Sequence, residues 1–194
     1  MASEPPRSKI YFYGRNLPYF DFSNFSQHPI VIDGEQWPTN EHYFQSRKFN
    51  CAKYADTIKW APSAKIAAML GRSRAQPIRE DWEDVKENFM MIGLQAKFTQ
   101  HEVLKTLLLG TRDAIIIERS DKDAYWGDGA ARTGKNRLGE LLMKLREQLR
   151  EQPGEQPGEQ EEQLCGQEEQ PNEQDEQLDI CTPFPGEEKN DVPS

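Results

Sequence analysis

The chain has 194 residues, enough for one domain of ordinary size and a tail, and its formal charge of −9 at pH 7 is unevenly distributed. From Glu151 onward, 14 acidic residues face one lysine, a charge of −13, whereas residues 1–150 carry 23 basic and 19 acidic side chains, a charge of +4. No apolar run approaches the ~18–20 residues that span a bilayer, the opening MASEPPRSK lacks an apolar signal-peptide stretch, and three cysteines, two beyond Glu151, argue against a disulfide framework. The expectation is an intracellular protein with no membrane partner. His28, His42 and His101 do not cluster with the cysteines, so no zinc or other metal site is expected.

In chain order, KIYFY at 9–13 is β-branched and aromatic, as a strand requires. IVI at 30–32, then Asp33-Gly34, then Glu35-Gln36-Trp37 predicts a hairpin, because Asp-Gly tolerates positive φ at both central turn positions. Thr39 is a plausible N-cap for a helix through EHYFQSRKFN, with a short helix over 52–60 and another opened by Pro62-Ser63. Between Asp81 and Thr99, the residues Trp82, Val85, Phe89, Ile92 and Ala96 recur at three- and four-residue steps, one face of a long amphipathic helix. A shorter helix over 101–109, a buried strand AIIIE at 114–118, and a closing helix with Leu138, Leu141, Leu142, Leu145 and Leu149 inside complete the domain. Neither a βαβ rhythm nor a 20–50-residue repeat is visible.

These elements predict an α+β, mostly helical single domain over 8–150 with a small antiparallel sheet. Residues 151–194 repeat EQPG and then run through Gln, Glu and Pro. They hold too little apolar surface to offset an ordering entropy of about 1–2 kcal/mol per residue, and the expectation is a disordered acidic tail.

Polar residues sit among aromatic ones in four blocks: DFSNF at 21–25, TNEHYFQSRKF at 39–49, REDWEDVKENFMM at 79–91 and ERSDKDAYWGDGAARTGKNRLG at 118–139. Glu41 falls in the first turn of its helix beside the Thr39 cap. An acid there complements the helix dipole. A fixed anion is also what N-ribosyl cleavage needs, since positive charge develops on the anomeric carbon and ring oxygen. Asp123 is the second candidate acid, with loop capping as its ordinary role and Glu118 or Asp121 as substitutes. Phe25, Trp82 and Trp126 offer flat faces for a base, though aromatic residues are more often core.

Gly129 to Lys135 satisfies G-x-x-x-x-G-K, but Asn136 stands where a P-loop needs Ser or Thr. A nucleotide triphosphatase is therefore not expected. Glycines with Arg132, Lys135 and Arg137 could still cradle a ribose phosphate, or form a plain surface turn. Lys48 lies two turns beyond Glu41 and suits a phosphate or a carboxylate partner. Asn24 suits a ribose hydroxyl or a turn.

The four blocks, in this order and spacing, resemble the NADAR (YbiA-like) N-glycosidases. The resemblance covers about 130 residues through FSNF, T-x-E-H-Y-x-Q-x-x-K-F, an acidic-Trp helix start, and E-x-S-x-x-D-x-x-W-G-x-G ending in G-x-N-x-L-G. It implies a YbiA-like fold and a cofactor-free hydrolase of the bond between ribose and a nitrogenous base. The implied catalytic residues are Glu41 and Asp123, and the implied substrate-binding residues are Asn24, Phe25, Lys48, Trp82, Trp126, Gly127, Lys135 and Asn136. Two substrate classes go with these blocks: ribosylamino-pyrimidine phosphates of riboflavin synthesis, and ADP-ribose on guanine in DNA. A rival from another class is a module that binds ADP-ribose or NAD without cutting it.

Overall fold

The structure is a computed structural model and describes residues 6–151. The expectation of a disordered tail over 151–194 lies outside the described residues except at Glu151, which ends the last helix. Four strands and six α-helices follow one another as β1 (Lys9–Phe12), β2 (Ile30–Ile32), β3 (Glu35–Trp37), α1 (Asn40–Ser46), α2 (Ala52–Lys59), α3 (Ala64–Arg72), α4 (Trp82–Gln100), α5 (Glu102–Gly110), β4 (Ile115–Glu118) and α6 (Arg137–Glu151).

The β2–β3 hairpin turns where Asp-Gly predicts it, with φ of 54° at Asp33 and 76° at Gly34. Its register pairs Ile30 with Trp37 and Ile32 with Glu35. Ile30 and Trp37 face the core, while Val31 points outward. The Gln100 amide at the end of α4 fastens that strand, accepting from Val31 N at 2.8 Å and donating to Val31 O at 2.7 Å. A second pair, β1 with β4, is parallel, with Lys9 opposite Ile115 and Phe12 opposite Glu118. Sequence reading does not pair these strands, because a parallel pair is joined by a long crossover and leaves no turn signature.

Phe12, Phe22, Phe44, Met90, Leu94, Phe98, Ile116 and the leucines of α6 form the main core. Within it, α1 is buried along all seven residues, including polar Asn40, Glu41, His42, Gln45 and Ser46. Thr39 caps it as predicted, its hydroxyl accepting from His42 N at 3.4 Å. Polar side chains are rarely buried unless they are partnered or functional, so α1 is the helix around which a site is to be sought.

Two glycines let neighbouring helices approach it. A Cβ at Gly93 of α4 would collide with Asn40 Oδ1, and one at Gly71 of α3 with Gln45 Oε1. Gly93→Ala is therefore expected to destabilise the domain by roughly 1–3 kcal/mol despite the better helix propensity of alanine. A thermal melt equal to that of the native chain would contradict this close approach.

Candidate active site

One cleft of about 1270 Å³ opens against α1. Its walls are the segment after β1 (Tyr13 to Pro29), α1, the turn at Ala61–Lys65, the end of α3, and the loop that follows β4. Three carboxylic acids line it: Glu41, Glu118 and Asp123.

Glu41 is held from both ends. Its backbone N–H donates to Asn24 O at 3.1 Å, and its carboxylate accepts from Gln45 Nε2 at 2.7 Å. Burial opposes the ionised form that the helix N-terminus favours. Burial pushes its pKa up to about 7, while the Gln45 hydrogen bond and the charges of Lys48 and Arg72 pull it back and Asp123 adds to the rise. Glu118, the last residue of β4, is raised to about 8, first by burial and then by Asp123, Glu41 and Asp128.

Asp123 lines the cleft and also caps its own loop, with Oδ1 accepting from Tyr125 N at 2.9 Å and Trp126 N at 2.8 Å. Asp121, the other substitute, is exposed, bound to Arg132 at 2.6 Å, and absent from the cleft wall.

Asn24, Phe25, Lys48 and Trp126 stand in the cleft wall as sequence reading expects. Asn24 accepts from Asn40 Nδ2 at 2.8 Å and donates to Met90 at 3.2 Å, so its amide ties the 21–26 turn to α1 and α4. That turn is braced from beneath by Lys97 of α4, buried, whose ammonium donates to Asp21 O at 2.5 Å, Ser23 O at 2.9 Å and Ser26 Oγ at 2.6 Å. Burial drives its pKa down to about 7 against the pull of Asp21. Phe25 belongs to none of the core clusters and has no ring partner among the described residues, which leaves a face open to a ligand. Trp126 meets Phe44 edge-on at 5.4 Å.

Four expected binding residues lie outside the cleft wall. Trp82 is core, stacked on Phe89 at 6.2 Å and tilted against Phe44 at 5.1 Å, so its faces are spent on protein. Gly127 is a packing position, where a Cβ would come within 2.8 Å of Glu118 O. Lys135 sits 5.2 Å from the Tyr125 ring. Asn136 serves β4, its Oδ1 accepting from Glu118 N at 3.0 Å and its Nδ2 donating to Ile116 O at 2.8 Å. The phosphate cradle imagined for 129–135 is likewise corrected. Four of its amides are used inside the loop, among them Gly134 N donating to Asp128 O at 2.8 Å and Lys135 N to Ala124 O at 2.7 Å, and Arg132 is held by Asp121 and Asp128.

The cations that do face the cleft are Arg15, Lys48, Lys65, Arg72 and Lys122. Among the described residues none of the five lies within 4.0 Å of a carboxylate. Lys48 donates instead to Gly71 O at 3.3 Å. Sequence reading missed Arg15 after β1 and Lys65 and Arg72 of α3 because only the fold gathers them, and it passed over Gln45 although that residue lies one turn beyond Glu41 in the same block. Among the described residues no group of three or more His, Cys, Asp or Glu is arranged to hold a metal ion. No helix there is long and apolar enough to cross a membrane.

An α+β domain whose cleft gathers three carboxylic acids and five cations has the lining of an enzyme site. The NADAR domain model matches residues 11–150, and the chain belongs to that family. It is 53% identical over 139 residues to the N-glycosidase YbiA of Escherichia coli K12, an alignment covering 72% of this chain and 87% of that one. It is 42% identical over 142 residues to an N-glycosidase of Nostoc punctiforme, covering 72% and 91%. A riboflavin biosynthesis protein of Vibrio vulnificus is 38% identical over 139 residues, covering 72% of this chain but 38% of that longer one. The NMR structure of the E. coli protein YbiA superposes with a TM-score of 0.69 at 52% identity, covering 74% of this chain and 85% of that chain.

Proposed function

We propose that the chain is an N-glycosidase that hydrolyses the bond between ribose and a nitrogenous base in this cleft. The observation that carries the proposal is the gathering of Glu41, Glu118 and Asp123 in one cleft, together with five cations that make no ion pair among the described residues. Carboxylates stabilise an oxocarbenium-like transition state and direct water. The rim cations suit a substrate phosphate. In this reading the ionised form of Glu41 faces the anomeric carbon, Asp123 holds ribose hydroxyls through its free oxygen, and Phe25 and Trp126 flank the base.

Two substrates fit. The name of the Vibrio relative as a riboflavin biosynthesis protein favours a ribosylamino-pyrimidine phosphate. The volume of about 1270 Å³ and the five cations favour a larger ligand with more than one phosphate, as in ADP-ribose attached to guanine in DNA.

The test is a paired hydrolysis assay read by mass spectrometry, with each substrate in its own tube beside Glu41→Gln. Release of free base from one substrate, lost in the variant, identifies both the activity and its substrate. Silence on both, with ADP-ribose still retained in calorimetry, would instead favour the binding-module alternative.

A further inference from the structure

We infer that Glu118 is the general acid of this reaction, the group in the cleft whose proton the departing base nitrogen takes up; the inference rests on the glycosidase reading. Two geometric observations support it, and the charges around the acids agree with them.

First, its main chain is pinned. Glu118 N donates to Asn136 Oδ1 at 3.0 Å, Glu118 O accepts from Asp128 N at 2.9 Å, and the next residue, Arg119, donates to Phe12 O at 3.0 Å. Gly127 packs against the same carbonyl so closely that a Cβ would not fit. The side chain is therefore projected into the cleft from a rigid strand end, as a positioned catalytic group requires.

Second, the carboxyl group has nothing else to do. Asp121 is bound to Arg132, Asp123 caps Tyr125 and Trp126, and Asp128 accepts from Ser120 N at 3.1 Å and Arg132 at 3.0 Å. Among the described residues the Glu118 carboxyl has no hydrogen-bond or ion-pair partner, although it is partly buried on the cleft wall.

Third, the charges around the acids divide their labour. Asp123 and Asp128 in the following loop and Glu41 on α1 act on Glu118, and all are anionic. From β1 the residue in register is Phe12, and Arg137 of α6 is tied to Glu87 and Glu140. Burial and Asp123 raise Glu41 as well, but Gln45, Lys48 and Arg72 favour its ionised form. An acid whose charged neighbours are all acids is suited to hold a proton, and one beside cations and a hydrogen-bond donor is suited to accept one.

The step balances. As the C1′–N bond breaks, its electron pair stays on nitrogen, which takes the Glu118 proton and leaves as the neutral base. Water adds its oxygen to C1′ and gives its proton to ionised Glu41. Return of that proton to Glu118 restores the enzyme.

The experiment is a pH profile of kcat/KM for the full chain, Glu118→Gln and Glu118→Asp on whichever substrate the native chain cleaves. The expected result is a fall of about 10²-fold at neutral pH in Glu118→Gln. The alkaline limb, near pH 8 in the native chain, should vanish with it. Glu118→Asp should keep a limb at lowered kcat, which also covers the case in which Gln misfolds. Native turnover in Glu118→Gln, or a profile lowered evenly with its alkaline limb intact, would overturn the assignment while leaving the glycosidase reading standing. A native chain inactive on both substrates would instead sink that reading, and this assignment with it.

Discussion

Glu41→Gln is expected to slow hydrolysis by about 10³-fold, the usual loss when one preorganised charge facing a transition state is removed. The swap keeps the oxygen that accepts from Gln45 Nε2 at 2.7 Å, so the helix and its neighbours need not move. Stability should shift the opposite way. The Glu41 pKa is raised in the folded state, from an ordinary 4.5 to about 7. Its contribution to folding is thus fully present below pH 4.5 and is lost as the pH climbs through 7. Gln has no proton to lose, so the variant should overtake the native chain by roughly 2–3 kcal/mol above neutral pH, and match it near pH 4. Calorimetric melts at pH 4 and pH 8 beside a turnover assay would check both halves. A variant that is inactive and also less stable at pH 8 would mean that Glu41 holds the fold together rather than the reaction.

The second large effect is expected at Lys97. Lys97→Met would remove the ammonium from Asp21 O, Ser23 O and Ser26 Oγ, leaving the two carbonyls only the weaker bonds from Ser26, whose hydroxyl lies 3.3 Å from Asp21 O and 3.0 Å from Ser23 O. Removing the charged partner of a buried polar cluster costs about 1–3 kcal/mol per hydrogen bond lost. A net loss of roughly 3–5 kcal/mol, or about 10 °C in Tm for a domain of this size, is the expected outcome. Hydrolysis should weaken too, because Asn24 and Phe25 reach the cleft from that turn.

The pH dependence has a definite sign. The Lys97 pKa is depressed to about 7 from 10.5, so the unfolded chain binds the extra proton and this residue adds stability as the pH rises between those values. The gap between native and variant melts should therefore widen from pH 6 to pH 9. A constant gap, or none, would show that the turn is held by other means.

Much of this architecture is written in local patterns. Thr39 with Glu41 two residues on, Ser63 after Pro62, Asp33-Gly34 and the stripe from Trp82 to Ala96 each specify their element through neighbours in sequence, and each element forms. The site is only partly legible in that way. Glu41, Asp123, Asn24, Phe25, Lys48 and Trp126 lie in blocks whose composition sets them apart, and the fold brings them to one cleft.

Trp82, Lys135 and Asn136 share those blocks but face the other way. A sequence block does not say which side of a helix or loop turns toward the ligand. Arg15, Lys65 and Arg72 carry no local signal at all; only tertiary structure gathers them. The β1–β4 pair is invisible for the same reason, since its strands are separated by most of the domain.

The Asn136 amide has a consequence for how the small parallel pair is finished. With one donor and one acceptor it satisfies Ile116 O and Glu118 N on the side of β4 away from β1, where Gly139 at the start of α6 packs against the same Ile116 carbonyl. One side chain thus does the work of a missing third strand, and Asn136→Ala would be expected to leave a carbonyl and an amide under α6 without partners, read as faster hydrogen exchange at the Glu118 amide.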